Sequence, residues 1–133
     1  MSEFVPLYAY EFTYRKAPWY FPPMSFGHGA AHMIDIPFLF PAWHGGPLGI
    51  LHKLNAEERR LSTQLVAAWT NFMYTGNSNL KGDRPWPRYT KSPEVYLPQD
   101  VTGLTIMSAA QFAAAHKCAF WDTILIYETR RRS

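Results

Sequence analysis

Residues 7–14 read Leu7-Tyr8-Ala9-Tyr10-Glu11-Phe12-Thr13-Tyr14, and the period of two in this run predicts a β-strand. The even-numbered positions are all aromatic, whereas the odd-numbered positions mix apolar and polar side chains. This pattern is typical of a strand that is covered on both faces. Because a lone strand cannot satisfy its own backbone donors and acceptors, the sequence predicts one end of a larger sheet.

The longest predicted helix covers residues 56–75. Asn55 is a suitable N-cap, and Glu58 completes a capping box three residues later. Gly76 stands where a helix commonly ends in the left-handed conformation. Spacings of three and four predict one buried stripe, formed by Leu61, Leu65, Ala68, Trp69, Phe72 and Met73.

Shorter elements account for the rest of the chain. Residues 94–97 and 104–107 are predicted to form a hairpin through residues 98–103, and residues 25–40 have room for one short helix. A last helix is predicted after Ser108, with Gln111 completing a second capping box. Its predicted buried side consists of Phe112, Ala115, Ala119, Phe120, Thr123 and Ile124.

Length and composition exclude several classes of protein. The chain has 133 residues, of which 47% are hydrophobic and 17% charged, so it is neither disordered nor too short for a core. A formal net charge of +3 is too small to indicate nucleic acid as the main partner. No apolar run approaches the roughly 20 residues of a membrane helix, so no membrane partner is predicted. The start of the sequence shows no signal-type segment, and the compartment is left open.

Few residues suggest chemistry by themselves. His28 and His32 are four residues apart, but a zinc peptidase needs Glu directly after the first His, where Gly29 stands. We therefore predict no metal and no cofactor. There is no Gly-x-Ser-x-Gly motif. The single cysteine, Cys118, excludes an internal disulfide and reads as a small apolar residue inside the last helix.

Five motifs in order resemble the C-terminal quarter of the type-B carboxylesterases, the family of the cholinesterases and para-nitrobenzyl esterases. Residues 7–15 resemble the late sheet strand of that family, and residues 57–77 resemble its long helix with a Thr-Gly-Asn stop. The histidine segment is matched by Gly29-Ala30-Ala31-His32-Met33-Ile34-Asp35-Ile36-Pro37-Phe38-Leu39-Phe40. The remaining matches are Trp86-Pro87, Tyr89-Thr90, Tyr96-Leu97 and Cys118-Ala119-Phe120-Trp121.

The resemblance implies an α/β fold in which this chain is the C-terminal portion of one α/β-hydrolase domain, incomplete on its own. It implies a serine hydrolase with a Ser, Glu and His triad in that chain order. His32 would be its general base, and an imidazole suits this role because its unperturbed pKa is about 6.5. The Ser, the Glu and the oxyanion hole would come from the N-terminal portion of the same esterase. That portion and a small-molecule ester substrate are the expected partners.

Four further expectations follow from the resemblance. The family usually has Gly after the histidine, so Met33 is expected to alter the pocket or the backbone beside His32. Asp35 is expected to anchor the histidine loop through backbone hydrogen bonds. Cys118 is either a free thiol or bridged to a cysteine of the upstream portion. Side chains near His32 in sequence are expected to line the pocket, namely Phe38, Trp43 and His44.

Two other functions remain open at this stage. Some relatives of these esterases act in adhesion and lack the nucleophile, and the sequence does not contain the residue that would decide this. A self-standing small binding module is the third alternative, and the unpaired first strand argues against it. Identifying any polypeptide that purifies together with the chain would distinguish the three hypotheses.

Overall fold

The structure is a computed structural model that describes residues 4–43, 45–47, 49–82, 85–103 and 105–131, with side chains described to residue 124. Three strands and four helices make up this part of the chain. The strands are β1 (Tyr10–Phe12), β2 (Val95–Gln99) and β3 (Met107–Ser108). The helices are α1 (Ile36–Leu39), α2 (Ala56–Thr75), α3 (Ala109–Ala115) and α4 (Cys118–Arg131).

The strands form one small sheet in the order β1-β2-β3. β1 is parallel to β2, with Tyr10 opposite Leu97, and β2 is antiparallel to β3. The predicted antiparallel pairing is therefore confirmed, but the bounds differ. β2 extends through Pro98 to Gln99, and β3 is Met107–Ser108 in place of the predicted residues 104–107. Pro98 is tolerated inside a strand because the bonds to β1 use its neighbours: the Leu97 amide donates to Ala9, and the Gln99 carbonyl accepts from Thr13.

The aromatic face of β1 lies under α2. Phe12 and Tyr14 pack against Phe38, with ring centroids 5.0 and 6.1 Å apart. Tyr8 and Tyr10 pack edge-on against Trp86, at 6.2 and 5.5 Å. Two hydrophobic clusters result along α2. The first contains Ala17, Tyr20, Ile34, Phe38, Leu54, Leu61 and Leu65, and the second contains Ala68, Trp86 and Leu97.

The other face of the sheet is covered by α3. Glu11 points away from α2 because strand side chains alternate, and its Oε1 lies 2.9 Å from Nε2 of His116. Tyr96 stacks on Phe112 at 4.3 Å, and Phe112 contacts the His116 ring at 4.2 Å. The strand that the sequence predicts to be covered on both faces is thus placed between two helical layers.

α2 begins at a capping box that also contacts β1. Asn55 Oδ1 accepts from the amides of Glu57 and Glu58, at 2.9 and 3.0 Å. Glu58 is 5% exposed; its Oε2 accepts from the Asn55 amide at 2.8 Å, and its Oε1 accepts from the Tyr14 hydroxyl at 3.2 Å. Burial, followed by the Glu58 carboxylate, raises the pKa of Tyr14. The bounds of α2, its caps and the left-handed Gly76 (φ 70°) confirm the prediction.

We expect Glu58→Ala to lower the free energy of unfolding by about 1–3 kcal/mol, because it removes the acceptor of both the Asn55 amide and the Tyr14 hydroxyl. Thermal unfolding of the protein in its assembled form would measure the loss. Glu57→Ala is the matched control, since Glu57 is exposed in the same turn and should change stability by no more than about 0.5 kcal/mol. Equal losses in the two variants would contradict the dual role of Glu58.

The two predicted buried faces are exposed in part in the described chain, which corrects the sequence-based expectation. In the α2 stripe, Leu61, Leu65 and Ala68 are buried as predicted, but Trp69, Phe72 and Met73 are 42%, 39% and 74% exposed. On the terminal helices, Phe120 is 57% exposed, and Ala115, Ala119, Thr123 and Ile124 are exposed as well. Periodicity correctly predicts that these faces are apolar. They are exposed because the described part of the chain contains no residues that cover them.

The predicted single terminal helix is two helices. The capping box of Ser108 and Gln111 is present as predicted. The helical path breaks at His116 and Lys117, where Lys117 adopts φ 55° before α4 begins. Neither Gly nor Pro stands at this break, so local sequence gives no sign of it. The contact between His116 and Glu11 holds the end of α3 against the sheet.

Candidate active site

His32 lies in a tight turn between the first loop and α1. The Ile34 amide donates to the Ala31 carbonyl at 3.2 Å, which makes His32 and Met33 the two central residues of a β-turn. His32 is exposed, whereas Ile34 is only 1% exposed and anchors the turn in the first cluster. The turn therefore presents the imidazole at the surface while its other end is packed into the core.

Tyr20 fixes the backbone of this turn from the core side. Its hydroxyl donates to the Met33 carbonyl at 2.8 Å, and the Ile36 amide donates to the same carbonyl at 3.1 Å. Tyr20 is 1% exposed, and its pKa is raised. Burial is the larger cause, and the negative charge of Asp35 is the smaller one. Periodicity does not identify this residue, because Tyr20 lies in an irregular, proline-rich loop. The aromatic run Trp19-Tyr20-Phe21 indicates burial in this loop, but it does not indicate which backbone atom Tyr20 contacts.

Asp35 anchors the turn differently from the expectation. Its side chain makes no capping bond to the first turn of α1, so the predicted backbone bonds from the carboxylate are wrong. The carboxylate instead accepts from the Tyr10 hydroxyl, at 3.3 Å. Burial, followed by the Asp35 charge, raises the pKa of Tyr10 to about 12. Tyr10 therefore remains a hydrogen-bond donor at neutral pH and joins β1 to the start of α1.

The two neighbouring histidines are in different environments. His28 stacks on Trp19 with ring centroids 5.0 Å apart and 13° between the planes. Its Nδ1 lies 2.7 Å from the Gly29 carbonyl, so that nitrogen carries the proton. Within the described residues, the His32 side chain makes no hydrogen bond, ion pair or ring contact. His32 therefore has both ring nitrogens available for chemistry, whereas His28 has Nδ1 engaged and only Nε2 available.

The expected pocket residues divide into three cases. Phe38 is fully buried between β1 and α2, so its predicted place in the pocket lining is wrong. Trp43 is half-buried and packs edge-on against Tyr20 at 4.4 Å. His44 lies outside the described residues. Cys118, a partly buried free thiol at the start of α4, is compatible with both of its expected states.

Other candidate groups lie away from this turn. Among the residues that the structure describes, the His116–Glu11 pair is on the α3 side of the sheet, whereas the His32 turn packs beneath α2. No group of three potential metal ligands occurs within the described ranges. The helices that are described include none with the length and apolarity needed to cross a bilayer.

Sequence comparison relates the chain to esterases. Residues 1–121 match the model of the "Carboxylesterase family". The chain is 31% identical to acetylcholinesterase of Bungarus fasciatus and 37% identical to carboxylesterase 4A of Bos taurus, with 90% of the chain covered in each case. These alignments cover 18% and 20% of the two relatives, so the chain spans about a fifth of their length.

Solved structures of low sequence identity show the same fold. A PNB esterase superposes with a TM-score of 0.63 at 24% identity, covering 87% of this chain and 22% of that one. A thermophilic PNB esterase gives a TM-score of 0.58 at 23% identity, covering 84% and 22%. The sheet order, the capped α2 and the histidine turn are therefore a portion of an α/β-hydrolase fold. With the family model matching almost all of its length, the chain belongs to the carboxylesterase family.

Proposed function

We propose that this chain supplies the general base of a carboxylic-ester hydrolase, and that the base is His32. The observation that carries the proposal is the histidine turn. Its imidazole is exposed and unpaired within the described residues, while Tyr20 and Ile34 hold its backbone from the core. A general base needs this combination of a free nitrogen and a fixed position.

In the proposed reaction His32 acts first as a base and then as an acid. It accepts the proton of the attacking serine hydroxyl, and the resulting imidazolium then donates it to the oxygen of the leaving alcohol. Water repeats the cycle on the acyl-enzyme, with His32 again the acceptor. The serine, the triad acid and the oxyanion donors belong to the upstream portion of the fold in this proposal. The contribution of this chain is the base and its orientation.

The remaining contacts of the turn support positioning. The hydroxyl of Tyr20 holds the carbonyl of Met33, and the hydroxyl of Tyr10 holds the carboxylate of Asp35 three residues beyond His32. Tyr20 belongs to the first hydrophobic cluster, and Tyr10 packs against the second. Both clusters include residues of α2, so packing against α2 fixes the position of the turn. Misplacing a base by about 1 Å can lower a rate about 100-fold, which makes such bracing functionally important.

The proposal also requires a partner. β1 is paired on one edge with β2, and the structure describes no strand on its other edge. Parallel pairing occurs almost only in α/β proteins, whose sheets are covered on both faces and usually have about four to six strands. We therefore propose that the N-terminal portion of the same esterase completes the sheet beside β1, and that the substrate is a small-molecule ester.

Co-isolation followed by complementation tests this function. The chain should isolate together with a polypeptide that contains Gly-x-Ser-x-Gly, and the pair should hydrolyse an aryl ester that neither piece hydrolyses alone. A serine-directed phosphonate should label the larger polypeptide and leave this chain unlabelled. An assembled pair that binds esters without hydrolysing them, or that resists the label, would support the binding-protein alternative.

A further inference from the structure

Met33 adopts a backbone conformation that its side chain disfavours. It occupies the third position of the histidine turn with φ 69°, in the left-handed region. Turns with a positive φ at this position favour glycine. A residue with a Cβ is strained there relative to its preferred conformation. Lys117 is the other described non-glycine residue with positive φ, and it lies far from His32 in sequence.

The turn holds Met33 in this conformation through contacts on both sides. The Met33 carbonyl accepts from Tyr20 and Ile36, and the next side chain, Ile34, is buried. Strain of this kind persists where the surroundings over-determine the backbone, and such positions cluster at functional sites. A glycine would remove the strain, so the side chain of Met33 is the feature that distinguishes this turn from an unstrained one.

The Met33 side chain is exposed, and Met33 directly follows His32 in the turn. It is 38% exposed, although the turn that carries it is anchored in the core. Its Cα is bonded through one peptide to that of His32, a separation of about 3.8 Å. A thioether on three rotatable bonds adapts to the group that it meets, and it is apolar. An exposed side chain one residue from the imidazole is therefore a candidate for contact with a substrate that reaches His32.

We infer that Met33 determines specificity for the alcohol part of the ester. The inference rests on the proposed function, in which the imidazole donates its proton to the leaving alcohol. That oxygen must come within about 3 Å of a ring nitrogen, so its substituent is the part of the substrate nearest to His32. Met33 occupies space at this side of the site and favours esters of slim, apolar alcohols over bulky or branched ones.

The test uses the assembled enzyme and two series of esters. One series keeps an acetyl group and enlarges the alcohol from ethyl to a branched or benzylic group. The other keeps ethyl and enlarges the acyl group. In Met33→Ala, the ratio of kcat/KM for bulky over slim alcohols should rise by about tenfold or more, because a difference of one methylene in a pocket already changes selectivity 10- to 200-fold. The acyl series should keep its wild-type order.

Two further variants separate the side chain from the backbone. Met33→Gly removes the same bulk and also the left-handed strain, so it should match Met33→Ala in selectivity while melting at a higher temperature. Met33→Leu conserves volume and should retain the wild-type ratio. A change of selectivity in Met33→Gly without one in Met33→Ala would overturn the inference, because the backbone would then be the cause.

The remaining outcomes distinguish this inference from the proposed function. Ester hydrolysis that survives His32→Ala would overturn the proposed function and the Met33 inference with it. An enzyme that depends on His32 but keeps its alcohol selectivity in Met33→Ala would overturn the Met33 inference alone. A change in the acyl series instead of the alcohol series would assign Met33 to the opposite end of the substrate, and would also overturn it.

Discussion

Replacing His32 by alanine in the assembled enzyme should lower kcat for a simple aryl ester by a factor on the order of 10³ to 10⁶. The variant loses the group that accepts the serine proton, so the hydroxyl attacks as a weak nucleophile. KM should change little, because the base acts mainly in the transition state. The residual rate would come from the oxyanion hole and substrate binding. Steady-state kinetics on the purified pair of polypeptides measure both parameters.

His28→Ala is the matched control for this experiment. The two residues carry the same side chain four positions apart, but the His28 ring is stacked on Trp19 and bonded to the Gly29 carbonyl. We expect this variant to retain most of the activity. The wild-type rate should fall in acid, because a protonated imidazole can no longer accept a proton. Equal activity of the two variants, or an inactive His28→Ala, would show that the base has been assigned to the wrong residue.

The isolated chain should not unfold cooperatively, and it should bind a hydrophobic dye strongly. Its described surface carries exposed aromatic and apolar side chains on α2 and α4, namely Trp69, Phe72, Met73, Phe120 and Trp121. Soluble monomers rarely expose apolar patches larger than a few hundred Å². The free edge of β1 adds unpaired backbone groups that favour aggregation. Calorimetry and dye fluorescence of the chain alone and of the assembled pair would measure the difference.

The assembled pair provides the control for folding. It should show one cooperative transition and weak dye fluorescence, because the upstream portion would cover the apolar faces and pair with β1. A purified, monomeric chain with a sharp transition of its own would contradict the proposal that another polypeptide completes the fold. It would favour the alternative of a self-standing binding module.

The elements that local sequence predicts best are those whose signals lie within a few residues of each other. Asn55, Glu58 and Gly76 define both ends of α2, and the structure has those ends at the same residues. Capping works through hydrogen bonds that span two to four positions, so no distant contact can easily override them. The Ser108–Gln111 box is predicted for the same reason.

Burial was harder to predict, because periodicity identifies an apolar face without identifying what covers it. Leu61 and Leu65 face α1 and the first loop, where Ile34 and Phe38 complete a cluster. Met73 and Phe120 have the same apolar character and are exposed. The pattern is identical in the two cases, and the difference is whether the chain itself supplies the opposing surface.

For the candidate site, a motif resemblance over residues 29–40 predicts the histidine and shows the unusual residue after it. How that motif is held depends on contacts between residues that are distant in the chain. Tyr20 reaches the Met33 carbonyl from a loop without any period, and Tyr10 reaches Asp35 from a strand 25 positions away. Neither contact leaves a local signal, because a side chain that braces a distant turn is selected by three-dimensional position and not by its neighbours in the chain.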